Sequence, residues 1–73
     1  MDKRIGERIQ HARKEKGLSR GDLADMSGIP SKFIFQIERQ GFGFSVDTLM
    51  KLSEILETSY EYLLDGLGGQ VEI

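Results

Sequence analysis

Apolar residues recur at helical spacing along most of the chain, beginning at its N-terminal end. Ile5, Ile9 and Ala12 fall on one face of a first helix, predicted over about 2–16. Gly17 follows directly and ends this helix. The opening of the chain is therefore predicted to be an amphipathic helix.

The next two helices are short and closely connected. Ser19 caps the second helix, Asp22 three residues later completes something like a capping box, and Gly28 ends the helix. The third helix is predicted over about 31–39, and Pro30 suits its start because proline is tolerated in a first helical turn.

Serine caps also begin the last two helices, at Ser45 after the glycine-containing loop 40–44 and at Ser59. Each of these helices carries an apolar stripe: Leu49, Leu52 and Leu56 in the fourth, and Tyr60, Leu63, Leu64 and Leu67 in the fifth. We therefore expect an all-α, five-helix domain over 1–65, followed by a flexible glycine-rich tail over 66–73.

The length of 73 residues allows one domain with a small core, because so short a chain buries only about 60% of its unfolded surface. Without cysteine, neither disulfides nor a thiolate metal site can supplement that core. The charged N-terminus carries no secretory pattern, and no apolar run approaches the length of a membrane span. These features predict a cytoplasmic protein with no membrane partner.

Charge is distributed unevenly along the chain. Residues 1–40 carry a net charge of +3 and residues 41–73 a net charge of -5, within a total of -2. A local basic face matters more to a polyanion than the total charge does, although ordinary solvated helix faces also produce such a pattern. Charge alone leaves both interpretations open.

The connection between the second and third helices is informative. Three residues, 28–30, are too few for an antiparallel hairpin, so the two helices should cross steeply. With the core lying between Ile34 and Ile37, a helical wheel places Phe33 beside the core, where it should pack. On the opposite side the wheel places Lys32, Gln36 and Arg39, with Phe35 at the edge and Ser31 within reach.

Several segments together resemble the phage-repressor-like helix-turn-helix family, the XRE type. The resemblance covers roughly residues 3–65 without gaps. It rests on Leu23-Ala24, Gly28-Ile29, Ile34 and Ile37-Glu38, and on the segments 5–9, 13–19, 45–49 and 59–64.

This resemblance implies that the third helix enters the DNA major groove while the second lies across the phosphate backbone. On that basis Ser31, Lys32, Phe35 and Gln36 are expected to contact bases. Arg20 and Arg39 are expected to contact phosphates. The partner would be double-stranded DNA, with a near-palindromic operator bound by a homodimer. The resemblance also implies an internal ion pair between Arg13 and Glu38.

Three positions depart from the family's pattern. Pro30 replaces the usual Ser or Thr cap, Arg39-Gln40-Gly41 replaces the usual Asn-Gly, and Glu57 stands where Gly or Asn commonly ends the fourth helix. Glu57 is therefore expected to carry some backbone strain.

For the dimer contact the candidates are Tyr60, Leu64 and Leu67, although the monomer core competes for the same stripe.

The chain offers no recognisable catalytic apparatus, metal site or cofactor motif. His11 is the only histidine, and Gly66-Leu67-Gly68-Gly69 lacks the strand and helix of a dinucleotide fingerprint.

A transcriptional regulator, most simply a repressor, is the favoured interpretation. The alternatives are a protein-interaction module on the same fold, favoured by acidic total charge and Phe35, and a partner-dependent antitoxin or co-repressor.

Overall fold

The computed structural model describes residues 3–41 and 44–66, in which all regular secondary structure is helical and the helices are joined by short turns. The five helices are α1 (Lys3–Glu15), α2 (Arg20–Ser27), α3 (Ser31–Gln40), α4 (Val46–Leu56) and α5 (Tyr60–Asp65). The predicted all-α, five-helix fold is confirmed. Among the described helices, none has the length and apolar character that crossing a membrane requires.

Serine side chains begin three of the helices, as the sequence predicts. At α2 the capping box is complete: the N–H of Asp22 donates to Ser19 Oγ at 2.9 Å, and the N–H of Ser19 donates to the Asp22 carboxylate at 3.0 Å. The second of these bonds holds the pKa of Asp22 below its usual value, because it favours the charged form. Ser45 and Ser59 accept bonds from backbone N–H groups of α4 and α5 in the same way.

Left-handed residues end the last four helices. Gly28, Gly41 and Gly66 close α2, α3 and α5 with φ between 72° and 77°. Glu57 closes α4 with φ 55° and is the one non-glycine residue with positive φ among the described residues, in line with the expected strain. Leu67, which the sequence assigns to the apolar stripe of the fifth helix, lies outside the described residues.

The core draws on all five helices, since the apolar stripes meet at one centre. The fully buried side chains are Ile5 and Ile9 of α1, Leu23 of α2, Ile34 of α3, Leu49 and Leu52 of α4, and Leu63 of α5. Each helix thus contributes at least one side chain that is removed from water. The short α5 depends on this burial, because a helix of six residues has little stability alone.

Gly6 lets α1 approach the end of α3 closely. A Cβ atom added at Gly6 would lie 2.3 Å from the carbonyl oxygen of Glu38 and 2.5 Å from that of Ile37. Both obstacles are backbone atoms, so a side chain would force the two helices apart. The contact fixes where α3 sits, and with it the outward face of α3.

We therefore expect Gly6→Ala to destabilise the domain by about 1–3 kcal/mol or more, the range for overpacking a core. Gly21→Ala is the matched control, because its nearest contact outside its chain neighbours is Ser19 Oγ at 3.7 Å. Alanine in a helix favours stability over glycine by up to about 1 kcal/mol, so this control should melt no lower than the parent. Thermal denaturation followed by circular dichroism measures both. Equal midpoints for the two variants would show that the approach of α1 to α3 tolerates a side chain.

Candidate nucleic-acid interface

The turn between α2 and α3 is held by several polar contacts. Gly28, in the left-handed conformation, redirects the chain and donates its N–H to the carbonyl of Ala24. The N–H of Ile29 donates to Ser27 Oγ at 3.1 Å, and Lys51 Nζ of α4 donates to the Ser27 carbonyl at 3.3 Å. A short turn tied to a third helix gives α2 and α3 a fixed crossing.

The two sides of α3 differ sharply in character. Its inward side buries Ile34, Ile37 and Glu38. Its exposed residues include every candidate contact predicted for this helix: Ser31, Lys32, Phe35, Gln36 and Arg39. No described residue forms a hydrogen bond with the Lys32 ammonium or the Gln36 amide, so both remain available to a ligand of suitable chemistry.

Glu38 is the buried polar group of this helix and receives two arginines. Arg13 of α1 donates to its carboxylate through Nε at 2.7 Å and Nη2 at 3.2 Å. Arg20 of α2 donates to it through Nε at 3.1 Å. The side chains of Arg13 and Glu38 are 7% and 2% exposed, whereas that of Arg20 is 38% exposed. The structure therefore places the expected Arg13–Glu38 pair together and adds Arg20 to it.

Phe35 is 41% exposed and lies beneath two guanidinium groups. The guanidinium carbon of Arg20 is 4.9 Å from the centroid of the ring, and that of Arg39 is 5.6 Å from it. Both distances fall within the range of cation–π attraction. The two arginines predicted to contact phosphates thus meet at one aromatic side chain on the outward side of α3. The contact between Arg20 and Phe35 could not be predicted from helical periodicity, because Arg20 belongs to another helix.

The prediction that Phe33 packs beside the core is wrong. Its side chain is 52% exposed and lines an open cavity of about 270 Å³ between α3 and α4, together with Ile29, Gln36 and Thr48. The helical wheel placed Phe33 at the margin of the buried arc. Whether a residue at that margin is covered depends on the neighbouring element, which a wheel does not show.

The candidate dimer contacts lie partly in the core of the single chain. Tyr60 and Leu64 are half-buried and pack against the core cluster, and Leu67 lies outside the described residues. The sequence reading did not single out Val46 and Met50 of α4, which are each 49% exposed and one helical turn apart. These two side chains form a second exposed apolar feature, on α4.

Two further contacts fix the C-terminal helices. Arg8 Nη1 donates to the carbonyls of Leu63 and Leu64 at 3.2 and 3.0 Å, so α1 satisfies backbone acceptors at the end of α5. Lys16 Nζ lies 2.8 Å from the Glu57 carboxylate, and this bond lowers the pKa of Glu57 below its usual value. Sequence patterns miss both contacts, since each joins residues more than forty positions apart.

In the part of the chain that the structure describes, groups capable of metal chemistry do not converge. His11 lies 3.5 Å from Glu15 on the exposed side of α1, as expected of a surface histidine. Within residues 3–41 and 44–66, no three His, Cys, Asp or Glu side chains come close enough to hold a metal ion. The convergent polar groups are those at the outward side of α3.

Two helices joined by a three-residue turn, and an exposed side of α3 that carries amide and cationic side chains, define a helix-turn-helix domain. The sequence profile of helix-turn-helix proteins matches residues 9–63. The chain belongs to this family, and the phage-repressor-like resemblance in the sequence is confirmed.

Relatives with curated descriptions and solved structures support this membership. The HTH-type transcriptional regulator SinR of Bacillus subtilis (strain 168) is 40% identical over 62 residues, which are 84% of this chain and 56% of SinR. The chain thus spans little more than half of that relative. A crystal structure of SinR in complex with DNA matches with a TM-score of 0.77 and 40% identity, covering 84% of this chain and 98% of the solved one. The P22 c2 repressor in complex with a synthetic operator matches with a TM-score of 0.78 and 35% identity, covering 85% of this chain and 94% of that one.

The Glu38 cluster leads to a prediction about stability. Arg13→Met removes the buried partner of Glu38, and breaking a buried pair costs about 3–5 kcal/mol. Because Arg20 keeps one bond to the carboxylate, we expect a loss near the lower end of that range. Arg20→Met removes the more exposed partner, and exposed pairs contribute about 1 kcal/mol or less. Urea denaturation measures both free energies of unfolding.

The ranking of the two variants is decisive, because both remove one arginine and leave Glu38 in place. Equal losses, or a larger loss for Arg20→Met, would show that burial of the Arg13–Glu38 pair does not govern its contribution.

Proposed function

We propose that this chain binds double-stranded DNA in a sequence-specific manner and regulates transcription, most simply as a repressor, with α3 in the major groove. The observation that carries the proposal is the outward side of α3, where a free amide and a free ammonium lie beside two arginines held over Phe35. Amide and cationic donors suit a groove lined with base acceptors and flanked by phosphates. We propose accordingly that the protein acts in the cytoplasm and that its role requires no catalysis.

Three exposed side chains are the proposed base readers. The Gln36 amide donates and accepts together, which matches N6 and N7 of adenine. Lys32 lies one turn earlier on α3 and reaches guanine acceptors or a phosphate, and Ser31 begins the helix. For Phe35 the sequence favours a thymine methyl as partner, whereas the two guanidiniums over its ring favour a role through those arginines.

Exposed apolar side chains support a second candidate function, the binding of another protein. Phe33, Met26 and Met50 are about half exposed, and Phe33 lines the open cavity between α3 and α4. Such side chains favour a protein contact over a nucleic-acid contact. The two functions are compatible, since a protein at this cavity would lie against Gln36 and compete with DNA.

The proposed roles of Gln36 and Arg20 differ in kind. Gln36→Ala should reduce the binding free energy on the preferred duplex by about 1–3 kcal/mol and relax the sequence preference at one base pair. Arg20→Ala should weaken binding to all duplexes alike. It should also make the negative slope of log K against log salt shallower by about one. Fluorescence anisotropy on duplexes selected from a random pool, repeated across a salt series, measures both effects.

Lys16→Ala is a control of the same charge change, because Lys16 pairs with Glu57 at the end of α4. It should leave the salt slope and the base preference close to those of the parent. If Gln36→Ala leaves the preference intact, Gln36 is not a base reader. If Lys32→Ala leaves it intact as well, α3 does not read the sequence, and the protein-binding function becomes the favoured proposal.

Dimerisation on the operator is also proposed, because one recognition helix spans too few base pairs for specificity in a genome. Half-sites should lie about 34 Å apart, one turn of the duplex. Tyr60, Leu64 and Leu67 remain the proposed contacts, and we add Val46 and Met50 of α4 as further candidates because both are exposed apolar side chains.

Analytical ultracentrifugation with a duplex of two half-sites tests this arrangement. We expect two chains per duplex at saturation, and Met50→Glu should favour one chain, because a buried charge at the contact is costly. Met26→Glu, at a similarly exposed methionine on α2, is the matched control. A single parent chain on the intact two-half-site duplex would contradict the proposal.

A further inference from the structure

Phe35 is unusual among the exposed residues of α3, because its ring is already engaged by protein groups. Arg20 and Arg39 place their guanidinium carbons 4.9 and 5.6 Å from the ring centroid. These cations reduce the area of ring that a base in the groove could contact. The ring attracts both through its quadrupole, and a desolvated cation–π contact is stronger than an exposed one.

Arg20 is held from a second direction as well. Its Nε donates to the Glu38 carboxylate at 3.1 Å, and the Glu38 side chain is 2% exposed. Among the described residues, neither Nη atom of Arg20 has a hydrogen-bond partner. The edge formed by these two nitrogens is therefore left to bind an anion, while the ring and the carboxylate set its direction.

Arg39 reaches the same ring from within α3, since it follows Phe35 by four residues, which is one helical turn. Its guanidinium and that of Arg20 carry like charge. Without the attraction of the Phe35 ring, the two groups would repel each other and move apart. The ring compensates for part of this repulsion. Two long side chains that would otherwise sample many rotamers are thus brought to one place on the DNA-facing side.

We propose that Phe35 is a positioning residue that pre-orients Arg20 and Arg39 for the phosphates of the duplex and does not read a base. The inference rests on the proposed function, because it assigns how that same surface gains affinity. Ordering a long side chain on binding costs about 0.5–1.5 kcal/mol, and each 1.4 kcal/mol is tenfold in affinity. Removing the ring from two arginines should therefore weaken binding by about tenfold on every sequence.

Two substitutions separate positioning from reading. Phe35→Leu keeps an apolar side chain that can contact a thymine methyl, but it has no ring to attract a cation. Phe35→Tyr keeps the ring and its attraction for cations. Binding is measured on the preferred duplex and on its full set of single-base-pair variants. We expect Phe35→Leu to lose about tenfold on all duplexes with the order of preference unchanged, and Phe35→Tyr to recover most of that loss.

Coupling to Arg20 provides a second measurement. If the ring acts through this arginine, Phe35→Leu should reduce DNA affinity less in a chain that already carries Arg20→Ala, because one of the two arginines that the ring positions is then absent. Additive losses for the two substitutions would show that the ring and Arg20 act independently, and they would overturn the proposal for Arg20.

The free protein supplies a readout that does not depend on DNA. Protons on the Cδ atoms of Arg20 and Arg39 should show ring-current shifts by NMR in the parent and in Phe35→Tyr. Those shifts should disappear in Phe35→Leu, while the melting midpoints of all three remain similar because Phe35 is exposed. Absence of the shifts in the parent would show that Arg20 and Arg39 do not lie over the Phe35 ring in solution, and it would overturn the proposal.

The outcomes distinguish this inference from the proposed function. Failure of the parent to bind any duplex overturns the proposed function, and the positioning role in DNA binding falls with it. A parent that binds, with Phe35→Leu altering the preference at one base pair or leaving affinity unchanged, overturns the positioning role alone.

Discussion

A single carboxylate sets the relation between the first three helices. Glu38 lies on α3, Arg13 on α1 and Arg20 on α2, and the two arginines share its oxygens at 2.7 to 3.2 Å. A lone charge at a site this dry would be strongly unfavourable, so the three helices are stable together only in the arrangement that brings the guanidiniums to it. Apolar packing gives the domain its stability, but it is less directional. The charged cluster ties α3 strongly to α1 through the buried Arg13 and more weakly to α2 through the partly exposed Arg20, and so contributes to the direction in which α3 faces.

The helix bounds could be predicted from sequence because they depend on local chemistry. Ser19, Ser45 and Ser59 accept bonds from backbone N–H groups two or three residues inside each helix, and Gly28 takes the left-handed conformation that ends α2. Capping of this kind is decided within a few residues, so a sequence displays it directly. Apolar periodicity failed at Phe33, which the helical wheel placed beside the core although its side chain is 52% exposed.

The surface was less predictable, since it depends on distances between helices. The outward placement of Lys32 and Gln36 follows from the helical period alone. The position of Arg20 over Phe35 depends on the crossing of α2 and α3, and the exposure of Phe33 depends on how far α4 lies from α3. Contacts across elements require the tertiary arrangement, and a periodic pattern contains no information on it.

Glu57 shows that this domain has not exhausted its capacity for stabilisation. A left-handed backbone at a side chain with a Cβ atom is strained, and its compensation is one exposed bond to Lys16. Natural chains accumulate such sites because selection acts only when stability falls below what function needs. The site lies at the end of α4 and takes no part in the outward side of α3. Tolerance to mutation on the outward side of α3 can therefore be raised from a position outside that surface, so a domain this small retains a route by which the residues of that surface can change.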